Sequence, residues 1–174
     1  MSAQICILIL IKEVFIMSVE IVRNYFKEHN IDKEILEFPV SSATVELAAQ
    51  AVGVEPARIA KTLSFYTKEK DAAILIVTAG DMKIDNSKFK HFFGMKAKML
   101  APEDVETLTG HAIGGVCPFG NPDSVSVYLD ESLKRFDTVF PAAGSGNSAV
   151  EMTCEELEQD SGSKEWIDVC KSCI

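Results

Sequence analysis

The sequence predicts one mixed α/β domain built around a curved sheet. Two apolar runs of β type, KTLSFY (61–66) and AAILIVT (72–78), flank a short polar turn, which is typical of a β-hairpin. Further short β-type segments recur along the chain, with short helical segments between them. This order differs from a regular βαβ series, and 174 residues are enough for one well-packed domain.

Five helices are expected from capping residues and hydrophobic periodicity. Thr44 and Gly53 suit the two ends of the second helix. Gly94 ends the third, Pro102 begins the fourth, and Thr153 is placed to cap the acidic fifth. The expected ranges are 18–29, 45–52, 86–93, 102–108 and 154–160.

Strands are expected where apolar and β-branched residues alternate, or run together, between turn residues. The stretch SVSVYL (124–129) alternates as a half-buried strand does. Together with the two strands of the hairpin, the remaining expected strands cover 34–38, 97–100, 136–140 and 148–152.

The first sixteen residues differ in character from the rest of the chain. Their apolar run ICILILI (5–11) is interrupted after seven residues, whereas a helix needs about 20 to cross a bilayer. An amphipathic pattern then begins after Met17. We therefore expect 1–16 to be an upstream extension, 17–160 to be the folded domain, and 161–174 to be a C-terminal tail.

Composition and charge restrict the class of protein. A net charge of −9 argues against a general coat for nucleic acid, because phosphate contacts need clustered Lys and Arg. Five cysteines in an uneven pattern suggest no disulfide framework, so we expect a cytoplasmic protein without a membrane segment.

Positive charge is concentrated between residues 82 and 100. This segment holds five lysines and one aspartate, which leaves 12 basic and 25 acidic residues in the rest of the chain. Such a segment is either a local footprint on nucleic acid or the solvated face of a helix. The five lysines are Lys83, Lys88, Lys90, Lys96 and Lys98.

The stretch GGVCPFG (114–120) has two possible functions. Its three glycines allow close approach to the main chain and positive φ, so backbone N–H groups can face a ligand. Alternatively, Cys117 is a nucleophile, with His111 as the histidine nearest in sequence. Sequence spacing alone leaves both interpretations open.

Lys61 stands at the start of a β-type run, directly after two apolar residues. It is either a snorkelling surface residue or a cation at the mouth of a cleft. In the second case it would suit a phosphate or carboxylate ligand.

No metal or cofactor is predicted. The pair Cys170 and Cys173 forms a C-x-x-C, but no second pair of ligands accompanies it. The chain contains no Walker loop, no G-x-G-x-x-G and no G-x-S-x-G elbow.

Four stretches in order resemble the YbaK/ProX aminoacyl-tRNA deacylases, which share the fold of the editing domain of bacterial prolyl-tRNA synthetases. They are TVELAAQAVGVEPARIAKTL (44–63), KIDNSKFKHFFGMKAKMLAPEDV (83–105), TGHAIGGVCPFG (109–120) and VYLDESLKRFDTVFPAAGSGNSAVEMT (127–153). The resemblance extends from about Met17 to Glu158. It implies a barrel-like mixed sheet and metal-free hydrolysis of the ester between a wrong amino acid and tRNA.

The resemblance also implies a set of site residues. The key lysine of the family falls on Lys61, and its G-x-x-x-P loop falls on 114–118. A second glycine-containing loop falls on 142–147. The expected catalytic residues are Lys61, Gly114 and Gly115, and the expected substrate-binding residues are Pro118, Ala142, Gly144 and Ser145.

The implied substrates are aminoacyl-tRNAs of the Cys-tRNA(Pro) or Ala-tRNA(Pro) type, and prolyl-tRNA synthetase is a candidate partner. Some family members carry lysines directly after the G-x-x-x-P loop, where this chain has Asn121, Pro122 and Asp123. The alternative to a free-standing hydrolase is therefore a catalytically weak module of the same fold that binds tRNA or a synthetase. The oligomeric state is left open.

Overall fold

Helices and strands follow one another irregularly in the computed structural model, which describes residues 18–39 and 44–173. The helices are α1 (18–28), α2 (Val45–Val52), α3 (Asn86–Phe93), α4 (Pro102–Thr109) and α5 (Cys154–Ser161). The strands are β1 (Leu36–Glu37), β2 (Ile59–Tyr66), β3 (Ala73–Ala79), β4 (Met82–Ile84), β5 (Ser126–Asp130), β6 (Thr138–Pro141), β7 (Ser148–Ala149), β8 (Met152–Thr153), β9 (Trp166–Ile167) and β10 (Cys170–Ser172). None of the helices described is long and apolar enough to cross a membrane.

The predicted hairpin is confirmed and forms the centre of a curled, six-stranded mixed sheet. β2 and β3 pair antiparallel, from Ala60 opposite Ala79 to Tyr66 opposite Ala73. The order of the strands is β8-β6-β2-β3-β5-β9. β6 runs parallel to β2, β5 parallel to β3 and β9 parallel to β5, so the sheet is mixed as expected. Two small sheets, β1-β7 and β10-β4, complete the fold.

Strand β3 lies in the interior, with every residue buried. Its side chains belong alternately to two apolar clusters. Leu75 and Val77 belong to the larger cluster, whereas Ile74 and Ile76 pack in a second cluster with Phe89 of α3. Burying a side chain of this size stabilises the fold by about 1.5–3 kcal/mol, which makes β3 the rigid support for the strand beside it, β2.

The predicted caps of α2 and α3 are present. The Thr44 hydroxyl accepts a hydrogen bond from the Leu47 N–H at 3.2 Å, and Gly53 ends α2 with a φ of +81°. The helix α3 ends at Gly94, which has a φ of +68°. The left-handed conformation at these positions is what favours glycine after the last turn.

Two of the predicted strands differ from the structure. Residues 97–100 form no strand, only one bridge between Met99 and Phe65, because the segment meets the edge of β2 at two backbone hydrogen bonds. The expected strand 148–152 is two short strands, β7 and β8, which lie in different sheets. The pattern also missed β4, which is only three residues long.

The chain continues to pair with the body of the protein after residue 160, where the sequence suggested a tail. β9 pairs with β5, and β10 pairs with β4. The buried Asp130 carboxylate accepts hydrogen bonds from the backbone N–H groups of Ser132 at 3.1 Å and Val169 at 3.0 Å. This carboxylate therefore ties the last segment to the end of β5. The expected extension, residues 1–16, and Met17 lie outside the described residues.

Candidate active site

A pocket with a volume of about 350 Å³ lies along one stretch of β2. Its walls come from β2, the first turns of α2 and α4, and two loops, 113–116 and 142–148. Most of the lining is apolar, and the polar contribution comes from a few side chains. They are Thr44, Lys61, Thr62, Ser64, Ser145 and Ser148.

Lys61 lines this pocket, and its side chain is half-buried. Its ammonium group donates a hydrogen bond to the carbonyl oxygen of Gly80 at 2.9 Å. Among residues 18–39 and 44–173, no carboxylate forms an ion pair with it. The nearby Asp81 is bound instead by Arg135, at 2.5 and 3.0 Å. Because an ammonium group has three donors, Lys61 retains capacity for an anionic or carbonyl ligand.

The loop 112–115 is a tight turn in which Gly114 has a φ of +86°. The Gly115 N–H donates to the Ala112 carbonyl at 2.9 Å, so this donor is already used inside the turn. The Gly114 N–H has no hydrogen-bond partner in the described part of the chain, and Gly114 is exposed at the pocket wall. The Gly114 N–H is therefore the donor of this loop that remains available to a ligand among the described residues.

Gly115 and Gly144 hold the two pocket loops against each other. A Cβ atom on Gly115 would lie 2.2 Å from the Gly144 carbonyl oxygen, so only glycine allows this approach. Gly144 itself has a φ of +93° and packs on the backbone of Ser18 at the start of α1. Neither glycine contributes to the pocket lining.

The second loop adds Ala142 and Ser145 to the pocket lining. The Ser145 hydroxyl donates to Asn147 Oδ1 at 2.8 Å and lies 2.8 Å from Ser148 Oγ. The Ser145 N–H donates to Ser148 Oγ at 3.2 Å. These bonds fix the loop internally.

Four of the seven expected site residues therefore meet at one pocket: Lys61, Gly114, Ala142 and Ser145. Gly115, Pro118 and Gly144 lie outside its lining, and buried Pro118 follows the glycine turn. Their assigned roles in catalysis and binding stay predictions.

Cys117 is fully buried behind the pocket loop. Its Sγ donates to the Phe119 carbonyl at 3.6 Å and lies 3.7 Å from His111 Nε2, a contact that sequence spacing could not establish. Burial raises the pKa of the Cys117 thiol to about 12, and burial also lowers the pKa of His111. Both shifts oppose a thiolate–imidazolium pair, and the geometry therefore favours a packing role for Cys117.

The described residues contain no group of three or more His, Cys, Asp or Glu side chains placed to hold a metal ion. Within the C-x-x-C, Cys170 is buried in β10 whereas Cys173 is exposed. The expected independence from metals stays a prediction.

Residues 40–159 match the model of the aminoacyl-tRNA editing domain family. The chain belongs to this family. It is a hydrolase that acts on aminoacyl-tRNA, as its sequence motifs predict. The match covers both pocket loops and all of β2, so the pocket belongs to the editing domain.

The relatives of this editing domain fall into free-standing proteins and synthetases. It is 58% identical to the Bacillus subtilis protein named "Uncharacterized protein YwhH", over 89% of this chain and 98% of that protein. It is 28% identical to the Enterococcus faecalis protein named "Putative Cys-tRNA(Pro)/Cys-tRNA(Cys) deacylase EbsC", over 75% of this chain and 81% of that one. A proline–tRNA ligase from Thermosipho melanesiensis is also 28% identical, but the match covers only 25% of the ligase.

A solved structure confirms the predicted fold of the editing domain. The crystal structure described as that of "a putative trans-editing enzyme for prolyl tRNA synthetase" superimposes with a TM-score of 0.81 at 31% identity. The superposition covers 89% of this chain and 98% of the other. The barrel-like mixed sheet that the motifs implied is therefore the fold of this editing domain.

Sequence reasoning missed Thr62 as a candidate site residue. Thr62 lines the pocket of the editing domain, and its hydroxyl is inaccessible to solvent and has no hydrogen-bond partner in the described residues. A buried hydroxyl without a partner costs about 1–3 kcal/mol, so a ligand that bonds to it recovers that cost. The position directly after Lys61 was the available signal, but a threonine in a strand is ordinarily structural.

Proposed function

We propose that this editing domain is a free-standing hydrolase that removes a wrong amino acid from tRNA(Pro), with Cys-tRNA(Pro) or Ala-tRNA(Pro) as its substrate. The names of its relatives support this proposal, since they refer to Cys-tRNA(Pro) and to trans-editing for prolyl-tRNA synthetase. The shares of the relatives that the matches cover also support it. The matches include 81% of the Enterococcus faecalis protein and 98% of the trans-editing structure, but only 25% of the proline–tRNA ligase.

One structural observation carries the proposal. Lys61, whose ammonium has no carboxylate partner in the described residues, and Gly114, whose backbone N–H has no acceptor there, both line the same pocket. An aminoacyl ester is already an activated acyl group. Its hydrolysis therefore depends more on positioning and on stabilisation of the developing oxyanion than on a strong nucleophile.

The walls of the pocket favour a small and uncharged amino acid. Val45, Ile59, Leu100 and Val105 contribute apolar surface, and no carboxylate of the described residues lines the pocket. A positively charged side chain would lose its hydration there without gaining an opposite charge, and Lys61 is assigned to the terminal adenosine and not to the amino acid. Alanine and cysteine meet this requirement. Discrimination between alanine and cysteine depends on a difference in transition-state binding free energy of about 1–3 kcal/mol, which is typical of one small group in an apolar pocket.

The mechanism we propose uses backbone and lysine donors. Lys61 binds the phosphate or ribose of the terminal adenosine, and the Gly114 N–H donates to the carbonyl oxygen of the ester. Water attacks the carbonyl carbon and forms a C–O bond. The bond to the ribose oxygen then breaks, and the proton lost by water is passed through the neighbouring ribose hydroxyl to that oxygen. The products are a free amino acid and tRNA.

The experiment is a panel of mischarged tRNAs, incubated with the protein, in which released amino acid is measured. We expect release from Ala-tRNA(Pro) or Cys-tRNA(Pro), unaffected by EDTA or iodoacetamide, and none from matched Pro-tRNA(Pro). A preparation of Lys61→Ala, made in the same way, controls for contaminating hydrolases.

Each other outcome contradicts a part of the proposal. Release from no member of the panel indicates the weak binding module, and loss of release after alkylation indicates a thiol-dependent enzyme. Loss in EDTA indicates a metal. We expect the reaction to take place in the cytoplasm, where tRNA is charged. Direct contact with prolyl-tRNA synthetase is a further prediction, which co-purification tests.

A further inference from the structure

The lysine-rich segment identified in the sequence forms an exposed surface. All five of its lysines are exposed, and within the described residues only Lys88 has a carboxylate partner, Asp168 at 2.6 Å. Lys90, Lys96 and Lys98 make no ion pair with any described residue. We call these three residues the lysine surface. The three lysines form no ion pair that would stabilise the fold, although the chain as a whole has a net charge of −9. Their exposed positive charge therefore points to a polyanionic ligand.

Backbone hydrogen bonds connect the lysine surface to the pocket. The Tyr66 N–H donates to the Lys98 carbonyl at 2.9 Å, and the Leu100 N–H donates to the Ser64 carbonyl at 3.0 Å. Ser64 and Leu100 line the pocket, and so does Met99, whose side chain is 57% exposed. The segment that bears Lys98 therefore forms one rim of the pocket.

Lys98 and Lys61 lie toward opposite ends of the pocket stretch of β2. The ammonium group of Lys98 lies 5.2 Å from the centre of the Tyr66 ring, at the last residue of the strand. Lys61 and Tyr66 are five residues apart, which is about 16 Å along a strand. A ligand that is bound at Lys61 and extends along β2 therefore meets Lys98 at the other end of this stretch.

An exposed aromatic ring accompanies these lysines. Phe92 of α3 is 43% exposed, and it packs edge-on against Phe93 and Tyr128. It follows Lys88 by four residues on α3, so these two side chains lie on the same face of the helix, whereas Lys90 lies on another. Basic side chains interleaved with an accessible aromatic ring are the combination that binds single-stranded nucleic acid, through phosphate contacts and base stacking.

We propose that the lysine surface binds the sugar-phosphate backbone of the RNA next to the aminoacylated end, with Lys98 at the rim of the pocket. This inference rests on the proposed function for the identity of the substrate. It adds which face of the domain carries the RNA. The acidic remainder of the surface repels the same polyanion and thereby restricts it to this face.

The test measures binding of fluorescein-labelled, uncharged tRNA(Pro) transcript by anisotropy. The variant is Lys90→Glu/Lys96→Glu, which leaves the contact between Lys98 and Tyr66 intact. The control is Lys27→Glu/Lys164→Glu, which makes the same change in net charge at two other exposed lysines without ion pairs in the described residues. We expect the variant to bind at least tenfold more weakly than the control.

Salt dependence gives a second readout that a general loss of stability would not produce. Each lost phosphate contact reduces the slope of log Kd against log salt concentration by about 0.7–0.9. We therefore expect a slope smaller by about 1.4–1.8 in the variant and unchanged in the control.

The two proposals fail separately. If variant and control bind the transcript equally, with equal slopes, the lysine surface does not carry the RNA, whatever the deacylation assay shows. If the variant loses binding as expected but wild-type protein hydrolyses no mischarged tRNA, the RNA-binding face is supported and the proposed function is contradicted.

Discussion

The hydrogen bond from the Lys61 ammonium to the Gly80 carbonyl joins a pocket residue to the turn after β3. The turn is tightly held, because a Cβ atom on Gly80 would lie 2.0 Å from the Pro56 carbonyl oxygen and 2.7 Å from Val45 Cγ1. Next to it, the Arg135 guanidinium holds the pKa of Asp81 below its usual range. A fixed neutral acceptor thus orients the ammonium, and no carboxylate of the described residues forms an ion pair with it.

Replacement of Lys61 by alanine should abolish most of the deacylation with little effect on folding. The side chain makes one hydrogen bond, to a backbone oxygen, whose loss costs about 1 kcal/mol. Without the group that binds the terminal adenosine, the ester is misplaced in the pocket, and a misplacement of about 1 Å can lower the rate about 100-fold. The measurements are kcat/KM on a mischarged tRNA and the midpoint of thermal unfolding.

The matched control for this prediction is Lys68→Ala, which removes an exposed lysine from the turn after β2. It should keep wild-type activity. A Lys61→Ala protein that deacylates at the wild-type rate would remove Lys61 from the site.

Replacement of Gly115 by alanine should disturb the pocket through steric contact. The added methyl group would lie 2.2 Å from the Gly144 carbonyl oxygen, so the two pocket loops must separate. We expect a loss of about 1–3 kcal/mol in unfolding free energy, together with a loss of deacylation. Both are measured on the same preparation, by urea unfolding and by release of amino acid.

Gly162→Ala is the control for Gly115, since Gly162 caps α5 with a φ of +60° and nothing lies within 4 Å of an added Cβ. It should cost stability through backbone strain but leave kcat/KM unchanged. Equal activity in the two variants would show that the contact between the loops has no part in forming the site.

Replacement of Cys117 by serine should leave the enzyme active. The thiol is fully buried, and its pKa of about 12 keeps it protonated at neutral pH. A serine hydroxyl can donate to the same Phe119 carbonyl. In native protein, we expect iodoacetamide to label the exposed Cys173 and to spare Cys117, as peptide mass mapping would show. An inactive but folded Cys117→Ser protein would restore the case for a thiol nucleophile.

The elements that the sequence predicted well are those whose ends carry a local signal. The ends of α2 and α3 are set by Thr44, Gly53 and Gly94. Each of these residues acts through its own backbone conformation or a contact within one turn, so the local sequence predicts where the helix begins or ends. The segments 97–100 and 166–172 depend on partners far along the chain. β9 and β10 are two and three residues long and exist only because β5 and β4 present free edges. Strands this short produce no hydrophobic periodicity in the sequence from which they could be predicted.

The site could be predicted in part for the same reason. Motifs predicted Lys61 and the glycine loop as parts of the site, but only the folded structure distinguishes Gly114, whose N–H has no partner in the described residues, from Gly115, whose N–H closes the turn. The orphan hydroxyl of Thr62 is likewise a property of the packed pocket. Which donors remain unsatisfied is decided by tertiary contacts, and sequence patterns do not record them.

Replacement of Thr62 by valine should stabilise the free protein while it weakens substrate binding. Valine has a similar shape and removes a buried hydroxyl that has no partner in the described residues. We expect an unfolding free energy equal to or above that of wild type, and an increase in KM. Thr67→Val is the control, since its hydroxyl donates to Asp71 at an exposed turn. If KM is unchanged, the Thr62 hydroxyl makes no bond to the substrate.

His111 should make the stability of the protein dependent on pH. Its Nε2 lies 2.8 Å from the Phe119 carbonyl and must donate to it, which leaves the buried Nδ1 without a partner in the described residues. Burial lowers the pKa of His111 in the folded state. An unfolded histidine takes up a proton near pH 6.5, so acidification below that value favours the unfolded chain. This contribution to stability is therefore complete above pH 6.5 and declines as the pH falls towards the lowered folded pKa.

The decline should reach at most about 1.4 kcal/mol per pH unit for this one group. His111→Gln keeps a donor for Phe119 but cannot titrate, so its unfolding free energy should change less than that of wild type between pH 7 and pH 5.5. Urea unfolding at several pH values measures this difference. The control is His91→Gln, which replaces an exposed imidazole and should follow wild type. Parallel curves for His111→Gln and wild type would mean that the buried imidazole takes up its proton as readily in the folded protein as in the unfolded chain.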